Sequence, residues 1–543
     1  MKHHAKIEAG PNPEVPLVAR IILAQAGWRQ ADISYSSPGH RFSQSLQIDH
    51  EKTEIPLVGM RPGRVYEVAV TLTGTDGSSC QLDQLTWRTP PLPARLRDFP
   101  QLDVKTLKPA EMEPGVTLLS LRRRSVGRML FNTAPQRQFL RDYSLIIALD
   151  VEAEIIWYFR ASFRISGIHQ LSNGNLFFHS ADYRSFEMDF LGQIKQVWYA
   201  SRRPAGPVEG GIAIDADSLH HQPHETPDGH FLALTANARS FEDYPSSETD
   251  PDAPAGPAKV VGDNVIEFNQ QGDILWSWNA FDHLDPYRIG YDTFSAFWHV
   301  RGFPNHIDWS HGNGVTIDPA DGCALVSLRN QDAFLKIDRQ SNEIRWILGP
   351  HDGWKPPWSD KLLTPADPNM RWPWHGHNPR VNEDRTISIY DNGLYQARPF
   401  AQPLRPHQCP ARGVEYRVDE EKRTVEQVWS SQSSDPDDEV ISWAMGDCHK
   451  LPKTGNRFVI DSFCLPQGDY LTHLKNVNRE DLGWNEWNRS EWHMSDFCYW
   501  GRIREYGQNN DVKLEIHLRD PDDIVGWEVY GGSRVRALTK QWQ

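Results

Sequence analysis

One pattern recurs along this chain and limits its fold more than any figure of composition. It is an apolar strand, a turn of Asp, Asn, Gly or Ser, and a second strand that ends in Trp. It reads "SLIIALDVEAEIIWYF" from Ser144, "FEMDFLGQIKQVWYA" from Phe186 and "NVIEFNQQGDILWSW" from Asn264. It returns as "FLKIDRQSNEIRWILG" from Phe334 and "VEYRVDEEKRTVEQVWSS" from Val414, and in weaker form as "RIREYGQNNDVKLEIHL" from Arg502. Alternating strands joined by such turns are hairpins. No strong 3.6-residue period separates them, which argues against a βαβ layout. A second unit precedes several of the hairpins: a histidine, a short strand, a turn and an apolar strand. Its copies begin at His169, His221, His311, His377 and His449.

Two hairpins make a four-stranded antiparallel sheet. About six such sheets around an axis bury their faces on each other and leave only short edges. The expectation is an all-β chain with a six-bladed β-propeller over residues 105–543. Residues 1–95 read as a separate β-sandwich. The alternation in "RVYEVAVTL" and the pattern around "MRPGRVYEVAV" are similar to a fibronectin type III domain, and "TPPLP" closes it as a linker. The sandwich is read as structural, or as a docking or dimer module, so a homodimer stays open. Stretches 236–262, 277–308, 349–374 and 467–500, rich in Trp, Pro and Asp, are expected to be loops covering one face.

The 543 residues carry a formal net charge of −15, which argues against general nucleic-acid binding. No apolar run is long enough for a membrane helix. The start "MKHHAKIEAGPNPEVP" has no apolar signal core, so the expectation is a cytoplasmic protein as written, or a periplasmic one if a signal was removed. The six cysteines show no metal spacing, and neither metal nor cofactor is expected.

The repeated histidines open what should be the innermost strands, so several are expected to converge on the axis. Arg329 sits in an apolar run, "ALVSLRNQDAFLKID". A buried guanidinium needs a carboxylate, with Asp332 nearby, or a bound anion. His and Arg together make a locally cationic pocket suited to sulfate, phosphate or carboxylate. His375 shares a strand face with His377, so it is the alternative nucleophile to His377. His220 should point away from His221 and be structural, whereas His224 and His230 read as surface or loop residues. His169 and His449 read as channel-lining. Trp309, Trp372 and Trp374 flank the proposed site and suit a phenyl ring.

From His311, "HGNGVTIDPADGCALVSLRNQDAFLKIDRQSNEIRWILG" resembles the core of the bacterial arylsulfate sulfotransferase family. "LHHQPHETPDGHFLAL", "WHGHNPRVNEDRTISIYDNG" and "ARGVEYRVDEEKRTVEQVW" resemble further blocks of that family, in order. The resemblance implies a six-bladed propeller that moves a sulfuryl group from a phenolic sulfate ester to a phenol. No nucleotide donor is needed, and the mechanism is ping-pong through a sulfohistidine. It implies His377 as nucleophile, with His221, His311 and Arg329 holding the sulfuryl oxygens and Asn313 assisting. His375, Trp309 and Trp374 complete the expected substrate contacts. A small-molecule aryl sulfate and a phenol are then the partners. The chain departs from the family at Gly312, where a hydroxyl residue is more usual, and at Cys409, which stands alone where a cysteine pair is usual. The residues by themselves leave other readings open. One is a His-ligated metal oxygenase or lyase acting on an anionic aromatic, another a non-catalytic binding propeller, and a third a hydrolase that uses water as acceptor.

Overall fold

The computed structural model describes residues 5–95, 97–125, 134–295, 297–405, 408–465 and 498–538, and the chain is all-β. Beyond the N-terminal region, six antiparallel sheets follow one another along the sequence. The hairpins read from the sequence supply most of their strands. Ala333–Ile337 pairs with Ile344–Leu348, for example, and Arg412–Asp419 with Thr424–Ser430. Each sheet from the second to the sixth opens with a short inner strand: Ile165–Gln170, His220–Glu225, Gly312–Ile317, His377–Val381 and Asp447–Lys450.

These inner strands pack on one another in sequence order. Strand Val525–Val535 fills the remaining inner position, between Ile165–Gln170 and Arg457–Cys464. That C-terminal strand pairs antiparallel with Val116–Ser125 and so completes the first sheet. On the opposite rim, Gln101–Leu107 adds to Val512–Arg519 of the sixth sheet. Both ends of the region are thus held by partners about four hundred residues away in sequence. The contacts between sheets are apolar: Val265, Trp278, Val315 and Val326 share one core, and Leu119, Ile147, Ile460 and Val529 another.

Two expectations about the loops need correction. Residues 236–262 are not an irregular insertion. Most of them extend the hairpin formed by Phe231–Tyr244 and Gly256–Phe268, paired almost throughout. Stretches 277–308 and 349–374 each add a short parallel strand to a sheet edge, His306–Asp308 and Thr364–Pro365. Most of the 467–500 insertion lies outside the described residues.

Residues 5–88 form two further sheets. Ala19–Leu23 lies between Ala5–Ala9 and Glu54–Leu57, and Val65–Gly74 pairs with Trp28–Ser37. Their inward faces, including Ile21, Ile33, Tyr35, Tyr66 and Val70, share one apolar core. Arg61 ties this region to the first large sheet, donating to Asp150 at 2.7 Å and to Glu152 at 3.0 Å.

Candidate active site

Three of the inner strands carry the same local irregularity at the same end. Their ladders break between His220 and His224, between Gly312 and Gly314, and between His377 and Arg380. A bulge bends a strand and re-aims the side chain beside it. His221 and His311 adopt left-handed backbone conformations there, with φ of 62° and 47°. Such conformations are costly outside glycine and collect at functional sites.

The result is a cluster of imidazoles. The rings of His221 and His311 lie 5.4 Å apart, nearly perpendicular. Phe297 packs 4.3 Å from the His311 ring, and Tyr530 stands 6.2 Å from that of His221. Arg329, on the short turn after Ala324–Leu328, is buried, and its charge acts on both His311 and His377. Its carboxylate partner is Asp292 at 2.9 Å, not Asp332. Asp332 instead binds His375 at 2.8 Å and Arg398 at 2.6 Å. The Nε–H of Arg329 is buried with no hydrogen-bond partner.

Each site histidine is oriented by a buried group behind it. Asn392 Oδ1 lies 2.7 Å from Nδ1 of His377. The carbonyl oxygen can only accept, so Nδ1 carries the proton and Nε2 keeps its lone pair. The backbone N–H of Met445 donates to that Nε2 at 3.1 Å, as this tautomer requires. Behind His311, Asp308 bonds Nδ1. Behind His221, His220 bonds Nδ1 at 2.6 Å and itself lies 3.3 Å from Asp263. His220 thus stands between His221 and the Asp263 carboxylate.

All three site imidazoles are held well below the ordinary value of 6.5. Burial is the main cause, joined by the Arg329 charge for His311 and His377 and by neighbouring histidines for His221. Burial and the adjacent Asp263 push Asp308 up. The site therefore holds three neutral imidazoles beside one guanidinium. That combination can bind a tetrahedral anion and offer it a nucleophilic nitrogen.

A depressed folded value means that the unfolded chain takes up a proton first as pH falls. The stability contributed by these neutral histidines is complete above pH 6.5 and is lost below it. His169, held at about 4 by burial, adds to this loss between pH 6.5 and about 4. The expected loss is about 1.4 kcal/mol per pH unit for each such group. Urea midpoints measured from pH 8 to pH 4 check this, and kcat/KM should show its acid limb below 6.5, not at it.

Other residues singled out from the sequence lie elsewhere. Trp309 is a core residue: it is fully buried, stacks 4.8 Å from Phe281 and donates to the Arg288 carbonyl. Trp372 packs on His351. Trp374 is buried, and its backbone N–H donates to Asp391. His375 is fully buried, with Nδ1 on Asp332 and Nε2 at 3.3 Å from the Tyr291 carbonyl. Neither of its nitrogens is open to a reacting group. Asn313 donates to the Gly376 carbonyl at 3.0 Å and accepts from Ser327. It fixes the segment before His377. Gly376 must be glycine, because a Cβ there would lie 2.7 Å from the Phe334 ring. The five repeat histidines are not equivalent. His169 lies 5.4 Å from His224, and His224 lines a small cavity with Gln222 and Arg380. His224 is therefore not a surface residue. Phe297, Arg301 and Tyr530 carried no periodic signal and were missed.

Gly312 has a physical reason. Its N–H donates to Asp263 at 2.6 Å, and a Cβ would lie 2.8 Å from the Asp263 carboxyl carbon. Gly312→Thr is expected to cost about 1–3 kcal/mol by overpacking, and to disturb His221 through Asp263 and His220. Thermal unfolding together with kcat/KM checks this.

Among the described residues, one cluster of carboxylates is close enough to share a metal ion: Asp318, Asp321 and Glu420. The Lys336 ammonium fills its centre, 2.6–2.7 Å from all three. None of its three carboxylates belongs to the histidine cluster.

In this all-β chain, inner strands packed in sequence order bring neutral imidazoles together beside a guanidinium. The model of the arylsulfotransferase (ASST) family matches residues 104–516, and the chain belongs to that family. It is 26% identical over 284 residues to the arylsulfate sulfotransferase AssT of Escherichia coli O6:H1 (strain CFT073), covering 45% of this chain and 43% of that protein. It is 25% identical over 210 residues to the AssT of Lelliottia amnigena, covering 31% and 34%. The chain thus matches less than half the length of these curated relatives. Among solved structures, a luciferin-regenerating enzyme superimposes with a TM-score of 0.32 at 8% identity, over 80% of this chain and 99% of the other. No helix among the described residues is long and apolar enough to cross a membrane.

Proposed function

We propose that this chain is a six-bladed β-propeller sulfotransferase, residues 105–543, carrying a fibronectin-III-like sandwich, residues 1–95. It moves a sulfuryl group from an aryl sulfate to a phenol without a nucleotide donor. Six sheets with inner strands packed in a ring support the propeller. The Tyr66 hydroxyl, accepting from the Arg61 N–H five residues upstream, supports the sandwich assignment, since such corners mark that architecture.

The observation that carries the function is the tautomer of His377. With the Nδ1 proton committed to Asn392, Nε2 keeps the lone pair, which the Met445 N–H meets at 3.1 Å and a reacting sulfur would take over, and the Arg329 charge acts on the ring. In the first half-reaction Nε2 attacks sulfur. The sulfur–aryl oxygen bond breaks, and its electron pair leaves on the phenolate. His311 passes its Nε2 proton to the phenolate while Asp308, whose carboxyl burial pushes up, passes its own proton to Nδ1, so the imidazole stays neutral and Asp308 ends as the carboxylate. Arg329 and His221 hold the sulfuryl oxygens, and the unpartnered Nε–H of Arg329 has a natural acceptor there. In the second half the acceptor phenol gives its proton to His311 and its oxygen attacks sulfur. The N–S bond breaks, and the pair returns to Nε2. Phe297 and Tyr530 flank the aromatic ring.

Initial rates test this. Double-reciprocal plots at several acceptor concentrations should be parallel, and phenolate release should depend on the acceptor. Intersecting lines would exclude a covalent relay. Equal release without any acceptor would make the chain a hydrolase.

A further inference from the structure

Two ring nitrogens of the same kind face each other at the edge of the site. Nδ1 of His220 lies 2.6 Å from Nδ1 of His221, and both rings are buried. A contact this short needs one proton between the nitrogens. With none, two lone pairs oppose each other; with two, a pair of N–H groups does. On the far side of His220, Nε2 stands 3.3 Å from Oδ1 of the buried Asp263. Neither of those atoms has another hydrogen-bond partner. The second oxygen of Asp263 accepts from the Ser310 hydroxyl at 2.5 Å and from the Gly312 N–H at 2.6 Å. Against the opposing effect of burial, His220, Ser310 and Gly312 hold the Asp263 carboxyl below its ordinary value. An ionised carboxylate only accepts, so Nε2 of His220 carries a proton.

The proton count then allows two states. With both rings neutral, the proton of His220 is on Nε2 and that of His221 is on Nδ1. Nε2 of His221 is then a bare lone pair, which repels a sulfuryl oxygen. In the other state one more proton sits on Nε2 of His221, and the shared proton has moved to Nδ1 of His220. His221 is again neutral but presents an N–H, and the positive charge rests on His220 beside Asp263. Burial and the neighbouring histidines keep that charge off His221 itself. The titratable groups around the pair and Asp263 are His179, His311, His377, Arg301, Tyr530 and Asp308. Burial and the Asp263 charge push Asp308 up, so Asp263 is the carboxylate that answers a charge on His220.

We propose that His220 and Asp263 are positioning residues that let His221 meet the sulfuryl group as an N–H donor, through uptake of one proton by the His220–His221 pair as a sulfate ester binds. The proton comes from solvent, its charge is matched by that of the ester, and it returns to solvent when the anion leaves. This deepens, and rests on, the transfer function proposed above, in which His221 holds a sulfuryl oxygen.

Calorimetry on the full chain with phenylmethanesulfonate tests it, alongside turnover of phenyl sulfate. In this sulfonate a methylene replaces the bridging oxygen, so no transfer can follow. Titrations at pH 8 in buffers of different ionisation enthalpy count the protons taken up, and Kd is followed from pH 7 to pH 9. Wild type should take up about one proton per bound sulfonate, and Kd should rise about tenfold per pH unit, the linkage of a single proton. Asp263→Asn leaves His220 without a counter-charge, so uptake should fall toward zero. Its Kd at pH 7 should rise by about tenfold or more, the scale of a lost charge-assisted bond. His220→Gln gives His221 a neighbour that does not titrate, so Kd should no longer depend on pH. Should Asp263→Asn fail to fold, His220→Gln reads the same slope. A wild-type uptake near zero, or a slope that both variants keep, overturns the proposal. Proton-coupled binding with no turnover of phenyl sulfate would sink the transfer reading and leave the pair standing. Turnover of phenyl sulfate with proton-free binding of the sulfonate would do the reverse.

Discussion

Replacing His377 by alanine is expected to lower kcat by about 10⁴-fold or more, the scale seen when a nucleophile that acts with its partners is removed. The reason lies in one atom. Nε2 is the ring nitrogen of His377 with a lone pair to offer: Nδ1 gives its proton to Asn392, whereas Nε2 accepts from the Met445 N–H at 3.1 Å, a bond that attack on sulfur would replace. No other imidazole can replace it. His375, two residues earlier, has both nitrogens engaged and is fully buried. His311 and His221 are tied at Nδ1 to Asp308 and to His220, on neighbouring strands. The variant should stay folded, since it removes a ring held by two hydrogen bonds, leaving Asn392 with its other contacts to Ser442 and Met445. Steady-state kinetics with circular dichroism separates the two effects. Loss of activity together with loss of the fold would not support the role given to Nε2.

Replacing Arg329 by alanine is the second large effect, and it should appear in two measurements. Asp292 would lose its close cation inside the protein, where it is 2% exposed. The Tyr395 hydroxyl at 2.8 Å would remain its main support. Breaking one half of a buried pair costs about 3–5 kcal/mol, so thermal unfolding should move down by many degrees. In kinetics, the loss of a fixed cation on the transferring group should lower kcat/KM by about 10²–10³-fold. Arg329→Lys should recover part of the stability but little of the rate, because an ammonium cannot reproduce the fork of a guanidinium. If Arg329→Ala kept its rate while losing stability, the residue would be a structural ion pair and nothing more.

Much of this architecture can be read from local chemistry. "FLKIDRQSNEIRWILG" is a hairpin because its period is two and its turn is Asp, Gln, Ser and Asn, and Phe334–Ile337 does pair with Ile344–Leu348. What could not be read depends on distance along the chain. Strands Gln101–Leu107 and Val525–Val535 find partners through the closure of the ring, and no local pattern announces them. Residues 236–262 looked like an insertion because of their acidic, proline-rich tip. The flanking residues lengthen a hairpin whose pairing, Ala238 with Val261 for one, needs both arms to be seen together.

The site divides in the same way. The inner-strand histidines were visible because they repeat. Their levels along the axis were not, since a bulge near His221, His311 and His377 shifts the register that a sequence count assumes. The partner of Arg329 was sought in Asp332, three residues on, but it is Asp292, 37 residues back. Trp309 was read as an aromatic wall because it adjoins the site in sequence. It lies in the bend between His306–Asp308 and Gly312–Ile317, and its ring belongs to the core with Phe281. The rings beside His221 are Phe297 and, on the closing strand, Tyr530.

The central claim is that Nε2 of His377 carries the sulfuryl group between donor and acceptor. Intact-mass spectrometry after brief exposure to an aryl sulfate, with no phenol present, tests it most directly. The account predicts a single sulfuryl-sized gain on the wild-type chain, discharged when a phenol is added and absent from His377→Ala. A chain that turns over the ester without ever gaining that mass, or that gains it equally in His377→Ala, would contradict it.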